Sequence, residues 1–195
     1  MRTRGPKPET EVKVPVASAA RARRLLRQAG FRPLTRRTFE ANTIFDTPSF
    51  DLKKRDALLR LRRFGSKCVL TFKGPATKEG RHKSRTEAEV EVSDNPTATW
   101  ILEQLGLRPV FRYEKYRTIY ARTGGGGFVF LDETPIGCFL ELEGPPRWIK
   151  RVATDIGLTT TCFLTDTYPE LYQKYRRRCG QAPKDMVFCS TDTLI

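Results

Sequence analysis

Apolar and polar residues alternate with a period of two in a series of short runs along this chain. The clearest are 9–14 (ETEVKV), 58–64 (LLRLRRF), 67–73 (KCVLTFK), 85–92 (RTEAEVEV), 111–122 (FRYEKYRTIYAR), 127–133 (GFVFLDE) and 138–143 (CFLELE), with a weaker one at 37–46 (RTFEANTIFD). Successive side chains of a strand point to opposite faces. About eight such strands with turn residues between them predict an antiparallel sheet or barrel. Four other segments show helical spacing. Ser18 can cap a helix over 19–29, with Ala19, Ala22, Leu25, Leu26 and Ala29 in one stripe and Gly30 beyond it. Asn95-Pro96 opens a second, striped by Ala98, Ile101, Leu102 and Leu105. A third follows Pro145 and Pro146 and buries Trp148, Ile149, Val152 and Ile156. The fourth runs from Pro169 to about Cys179, and its last turn, Arg176 to Arg178, suits the negative end of a helix.

Between these elements, Gly124 to Gly127 read as a flexible hairpin loop; no Lys-Ser or Lys-Thr follows, so the run is not a phosphate-cradling loop. Residues 74–84 (GPATKEGRHKS) read as a basic, mobile loop. The predicted organisation is a basic leader over 1–8, one domain over 9–178, and a tail over 179–195 that is either unstructured or closes one end of the sheet.

Sorting each strand by parity separates two faces. One carries Glu9, Glu11, Lys13, Arg60, Arg62, Thr71, Lys73, Arg85, Glu87, Glu89, Glu91, Lys115, Arg117, Asp132, Glu141 and Glu143; the other carries Val12, Val14, Leu59, Leu61, Leu70, Phe72, Ala88, Val90, Val92, Tyr116, Leu140 and Leu142. An antiparallel sheet with one face in water also alternates. Such a face, however, mixes in Ser, Thr, Asn and Gln, whereas here nearly every polar position is fully charged, and acids and bases are sorted onto different strands. Leaving out Glu91, which is near a strand end, the set balances. A nucleic-acid face would not carry so many phosphate-repelling carboxylates. Equal numbers make sense if the acids hold a divalent cation and the bases a compact polyphosphate. On that reading Glu9 and Glu11 hold metal and Lys13 faces phosphate. Were the sheet to close, the charged face would line a tunnel about wide enough for one small ligand, with the helices covering the outside.

Composition narrows the classes. The chain has 195 residues, 38% of them hydrophobic, enough for one domain with its own core. A formal charge of +14 predicts attraction to polyanions. No run is long and apolar enough for a membrane span and the N-terminus lacks a signal-peptide core, which predicts a soluble, cytoplasmic protein without a membrane partner. Five scattered cysteines with no Cys-x-x-Cys predict reduced, mostly buried thiols. His82 is the only histidine, which excludes a Ser/His/Asp triad and any centre built on several imidazoles.

The ordered series Glu9-x-Glu11-x-Lys13, Phe45-Asp46-Thr47, Leu59-Arg60-Leu61-Arg62, Phe72-Lys73-Gly74-Pro75, Arg85-x-Glu87-x-Glu89, Glu114-Lys115-Tyr116-Arg117, Asp132 and Gly137-x-Phe139-x-Glu141-x-Glu143 resembles the CYTH superfamily, the triphosphate tunnel metalloenzymes, over residues 9 to about 175. The resemblance implies a mainly β fold: a closed eight-stranded antiparallel barrel with flanking helices. It implies metal binding by Glu9, Glu11, Glu141, Glu143 and Asp132, with Mg²⁺ or Mn²⁺ as cofactor. It implies triphosphate binding by Lys13, Arg60, Arg62, Lys73, Arg85, Lys115 and Arg117, and catalytic roles for Glu87, Glu89, Asp132 and Lys73. Cleavage of a triphosphate phosphoanhydride follows, on inorganic tripolyphosphate or on a nucleoside or other organic triphosphate. Lys-Gly-Pro, Glu-Lys-x-Arg-x-x-Tyr and Gly-x-Phe-x-Glu look most like the class IV adenylate cyclase branch, so conversion of ATP to cyclic AMP and pyrophosphate is the alternative. Thr167-Tyr168, leading into a longer basic helix, departs from that branch. A non-catalytic binder of polyphosphate, nucleotide or RNA is the rival outside enzymology. The preferred metal, the substrate and the choice between monomer and homodimer stay open at this point.

Overall fold

The computed structural model describes residues 7–79 and 82–189. In chain order they form β1 (Lys7–Val16), α1 (Ala19–Gln28), β2 (Arg32–Pro33), β3 (Thr38–Asp46), α2 (Asp51–Lys54), β4 (Leu58–Phe64), β5 (Lys67–Glu79), β6 (His82–Val92), α3 (Asn95–Gln104), β7 (Arg108–Ala121), β8 (Phe128–Thr134), β9 (Gly137–Glu143), α4 (Pro146–Asp155), a 3₁₀ turn (Thr160–Cys162) and α5 (Tyr168–Cys179). Every strand run expected from alternation is a strand. The sheet order β7-β3-β4-β5-β6-β1-β9-β8 returns to β7 through a further antiparallel pairing, so eight strands close into a barrel, and β2 lies beside the end of β7. Closure leaves no open edge among these strands.

Two expectations change. Residues 74–84 are mostly not a loop: β5 and β6 run on as a paired hairpin as far as the described residues go, and the register shift between Lys73 and Ala76 takes up Gly74 and Pro75. A bulge is where a strand accommodates a proline, which has no N–H to give to the ladder. The run Gly124 to Gly127 does more than bend. A Cβ on Gly127 would lie 2.3 Å from the Glu143 carbonyl oxygen and 2.8 Å from the Trp148 ring, so the absent side chain lets the loop lie flat under that indole. Trp148 Nε1 donates to the Gly125 carbonyl at 3.1 Å.

The helices cover the barrel unevenly. Ser18 Oγ accepts from Arg21 N at 3.2 Å and caps α1, whose Ala22 and Leu26 join Trp148, Ile149 and Val152 of α4 against the outward Val12, Val14, Val129, Leu131, Leu140 and Leu142. On the far side α3 inserts Leu102 against Phe45 and Leu61. The outward Phe72 and Val90 of β5 and β6 remain exposed, so the helices do not cover the whole apolar face. The cysteines are unpaired, and Cys162, Cys179 and Cys189 are exposed rather than buried. Among the described residues no helix is long and apolar enough to cross a membrane.

The tail has structure up to Cys189. Met186 pairs in parallel with Tyr113 of β7, with Glu114 N donating to the Met186 carbonyl at 2.8 Å and Met186 N to the Arg112 carbonyl at 3.0 Å. This occupies a part of β7 that lies before its pairing with β8 begins at Tyr116. Together with Tyr168 and Tyr172 of α5, it packs onto Ile44, Tyr113 and Phe139, inward-facing residues at one end of the barrel.

Candidate active site

The inner wall is built by strand parity. Lys13, Arg60, Arg62, Lys73, Glu87, Glu89, Lys115, Arg117, Asp132 and Glu141 come from seven strands, yet each is ion-paired with another of the set. Lys13 Nζ lies 2.8 Å from Glu11 Oε1 and 3.2 Å from Glu141 Oε2. Burial works against its charge, but the two carboxylates outweigh it and hold its pKa above the ordinary value. Arg117 grips Asp132 with two bonds of 2.6 Å, from Nε to Oδ1 and from Nη2 to Oδ2, and reaches Glu141 at 3.1 Å. Lys115 Nζ donates to Asp132 at 2.9 Å, and the Tyr168 hydroxyl donates to the same carboxylate at 2.6 Å. Asp132 itself has no exposed surface.

On the opposite wall Arg60 lies 3.9 Å from Glu87 and 3.7 Å from Glu89, Arg62 donates to Glu89 at 3.1 Å, and Lys73 lies 3.0 Å from Glu87. Both guanidinium groups keep a buried Nε with no partner. Burial and the neighbouring Arg60 push Arg62 below its ordinary pKa. Burial works against the charge of Arg60, but Tyr113, Glu40 and Glu87 outweigh it and hold its pKa above the ordinary value. The two half-buried arginines stay charged and have donors to spare for an anion.

Glu11 and Glu143 are register partners across β1 and β9, one step from the Lys13 and Glu141 pair. The backbones of Glu9 and Arg85 are likewise register partners on β1 and β6, but their side chains lie outside the described residues. Among the described residues no three His, Cys, Asp or Glu side chains converge to hold a metal by themselves.

The strand expected at 37–46 is β3, but its inward residues are absent from the charged set. Glu40, Asn42, Ile44 and Asp46 are its inward set, and all four are buried. Asn42 donates to Glu40 at 3.0 Å. The signal was present in the parity of TFEANTIFD but was masked by Thr38 and Ile44, which share the charged face. Asp46, inside the Phe-Asp-Thr motif, is structural: its carboxylate accepts the N–H groups of Thr47, Leu52 and Lys53 at 2.8, 2.9 and 3.0 Å and ties down α2.

Glu40 lies 3.3 Å from Lys115 and 4.0 Å from Arg117. Burial alone would raise its pKa, but those two cations outweigh it and hold the carboxyl at about 2, against an ordinary 4.5. A carboxyl depressed on folding contributes stability above its unfolded pKa and loses it as pH falls through the folded one. This contribution should be constant at neutral pH and fade between pH 4.5 and pH 2. Urea midpoints across that range should fall less steeply in Glu40→Gln; equal acid slopes would contradict the assignment.

Residues 7–154 match the family model of the CYTH domain. A candidate adenylate cyclase of Methanocaldococcus jannaschii is 29% identical over 135 residues, 69% of this chain and 75% of that protein. The PH1819 protein of Pyrococcus horikoshii OT3 superposes with a TM-score of 0.72 at 27% identity, over 86% of this chain and 99% of its own. A candidate adenylyl cyclase from Hippeastrum, described as having a dominant triphosphatase activity, superposes with a TM-score of 0.62 at 18% identity, over 90% of this chain and 97% of that one, a likeness of fold.

Proposed function

The chain belongs to the CYTH domain family, and on that premise we propose that it is a metal-dependent enzyme cleaving a phosphoanhydride of a triphosphate held inside the barrel. The observation that carries this reading is the half-buried pair Arg60 and Arg62, neighbours on one strand face, each with a buried Nε that has no partner. Guanidinium forks match phosphoryl oxygens in geometry and charge. Lys13, Lys73, Lys115, Arg117 and, from its strand position, Arg85 complete a cationic lining that grips a triphosphate along its length.

The carboxylates fit a divalent cation. Glu11 and Glu143, directly opposite on neighbouring strands, would hold it, and their like charges, unfavourable side by side, would be offset by a divalent cation. Mg²⁺ is ordinarily held by one or two carboxylates, with substrate phosphates and water completing its shell, which suits a site without a three-carboxylate cage; Mn²⁺ takes similar oxygen ligands. Glu9 and Glu141 flank this pair on β1 and β9. Asp132, saturated by Lys115, Arg117 and Tyr168, serves in this reading to aim the two cations. When bound, the metal neutralises charge on the phosphoryl oxygens and lowers the pKa of a coordinated water.

The chain's own residues do the rest. Because the cations are fixed by their acidic neighbours before substrate arrives, little reorganisation is needed as charge moves onto the leaving oxygen. Glu87 and Glu89, beside Lys73, Arg60 and Arg62, are placed to orient the attacking water in a hydrolase. The likeness to a candidate adenylate cyclase favours a second reading, class IV adenylate cyclase chemistry, in which the ribose 3′-hydroxyl attacks the innermost phosphorus and pyrophosphate leaves.

The test is phosphorus NMR of products from tripolyphosphate, ATP and thiamine triphosphate with Mg²⁺ or Mn²⁺, against an EDTA control. Orthophosphate release that stops with EDTA supports the triphosphatase; cyclic nucleotide with pyrophosphate supports the cyclase. Metal-independent binding of polyphosphate or RNA with no turnover on any substrate would replace both by a non-catalytic binder.

A further inference from the structure

The two ends of the barrel interior are unequal, and this bears on the substrate class. At one end Ile44, Tyr113, Phe139, Tyr168, Tyr172 and Met186 are each at most 8% exposed. Their rings interlock: Tyr113 stacks on Tyr168 at 5.8 Å, and Phe139 meets Tyr168 edge-on at 5.9 Å. The Tyr172 hydroxyl, 2.9 Å from the Pro183 carbonyl and 3.0 Å from that of Asp185, ties the C-terminal segment over this packing. A planar organic group has no room there.

The other end is lined differently. Phe128 opens β8 and shares the inward parity of Phe130 and Asp132. It pairs in register with Glu143, which pairs in turn with Glu11, so the ring stands level with the carboxylate pair. Phe130, 6.3 Å away, is buried under the Arg117 guanidinium, which lies 4.3 Å above its ring. Phe128 is 44% exposed. A half-bare aromatic ring on the inner wall, level with the carboxylates, is left without a cover such as the guanidinium that lies over Phe130.

We propose that Phe128 is the specificity-determining platform on which the organic ring of the substrate stacks, so that the tunnel is built for an organic triphosphate rather than for inorganic tripolyphosphate. This rests on the triphosphate reading above. Four residues of strand, about 13 Å, separate Phe128 from Asp132. That span accommodates a triphosphate whose terminal phosphate lies deep, among Lys13, Lys115 and Arg117, with its organic substituent at the mouth. Stacking of a base or similar ring on an aromatic side chain is sequence-tolerant and is lost on truncation to alanine by about tenfold or more.

The test compares wild type, Phe128→Ala and Phe128→Tyr by calorimetric binding of ATP, thiamine triphosphate and tripolyphosphate, with turnover followed in parallel. Phe128→Ala should weaken at least one organic triphosphate about tenfold more than it weakens tripolyphosphate, and Phe128→Tyr should restore the difference. Which organic substrate responds identifies the ring, purine or thiazolium. Equal weakening of all three ligands, or no weakening of any, overturns the proposal. Binding is read without turnover, so a chain that binds these ligands but cleaves none sinks the enzyme reading and leaves this one standing. A chain that binds no triphosphate ends both.

Discussion

Asp132→Ala should cost about 3–5 kcal/mol of folding stability, the usual consequence of removing one partner from a buried ionic cluster. The side chain has no exposed surface and receives four hydrogen bonds, two from Arg117 and one each from Lys115 and Tyr168. Without it both cations stay buried, and Glu40 and Glu141 supply the nearby negative charge. For a chain of this size each kcal/mol lowers the melting temperature by about 2–4 °C, so a thermal melt should fall by roughly 10 °C. Asp132→Asn, which keeps the shape but not the charge, should lose less. Tripolyphosphate should return part of the deficit, since an anion among Lys115, Arg117 and Lys13 does what the missing carboxylate did. A loss under about 1 kcal/mol, where exposed ion pairs fall, would mean that Asp132 does not organise the cluster.

Much of this architecture was legible in the sequence because the charged face turned inward. In most sheets parity tells buried from solvated positions and nothing more; here Arg60, Arg62 and Glu141 alternate with Leu59, Leu61, Leu140 and Leu142, which pack under helices, so one parity marks the core and the other marks the site. What stayed hidden depended on contacts between distant segments. Tyr168 read as the start of a helix, and only folding brings it 36 positions back onto Asp132. Met186 lay in a tail without periodicity because a short segment added to β7 needs backbone groups rather than a side-chain pattern. Glu40 was lost in the weakest strand run. The glycines at 124 to 127 looked like freedom, while their packing under Trp148 depends on a residue more than twenty positions away. The net charge also acquires a location: among the residues whose side chains are described, the inner wall is close to balanced, so their positive excess lies away from it.

Glu11→Gln should reduce metal-dependent turnover on the order of a hundredfold while leaving the fold in place, and the two halves of that expectation have separate causes. The fold survives because Lys13, the ion-pair partner Glu11 has here, keeps Glu141 at 3.2 Å and the Tyr168 ring at 5.5 Å. Activity falls because a neutral amide opposite Glu143 removes half of the negative charge that a divalent cation would neutralise, and each factor of ten in rate is only about 1.4 kcal/mol of barrier. A binding readout separates metal from chemistry: Mg²⁺ or Mn²⁺ added with tripolyphosphate should raise the melting temperature of the wild type by mass action and raise that of Glu11→Gln far less, whereas tripolyphosphate alone should stabilise both. If Glu11→Gln kept full turnover and the full metal-dependent shift, the cation would have to sit elsewhere on the inner wall, and the opposition of Glu11 and Glu143 would need another explanation.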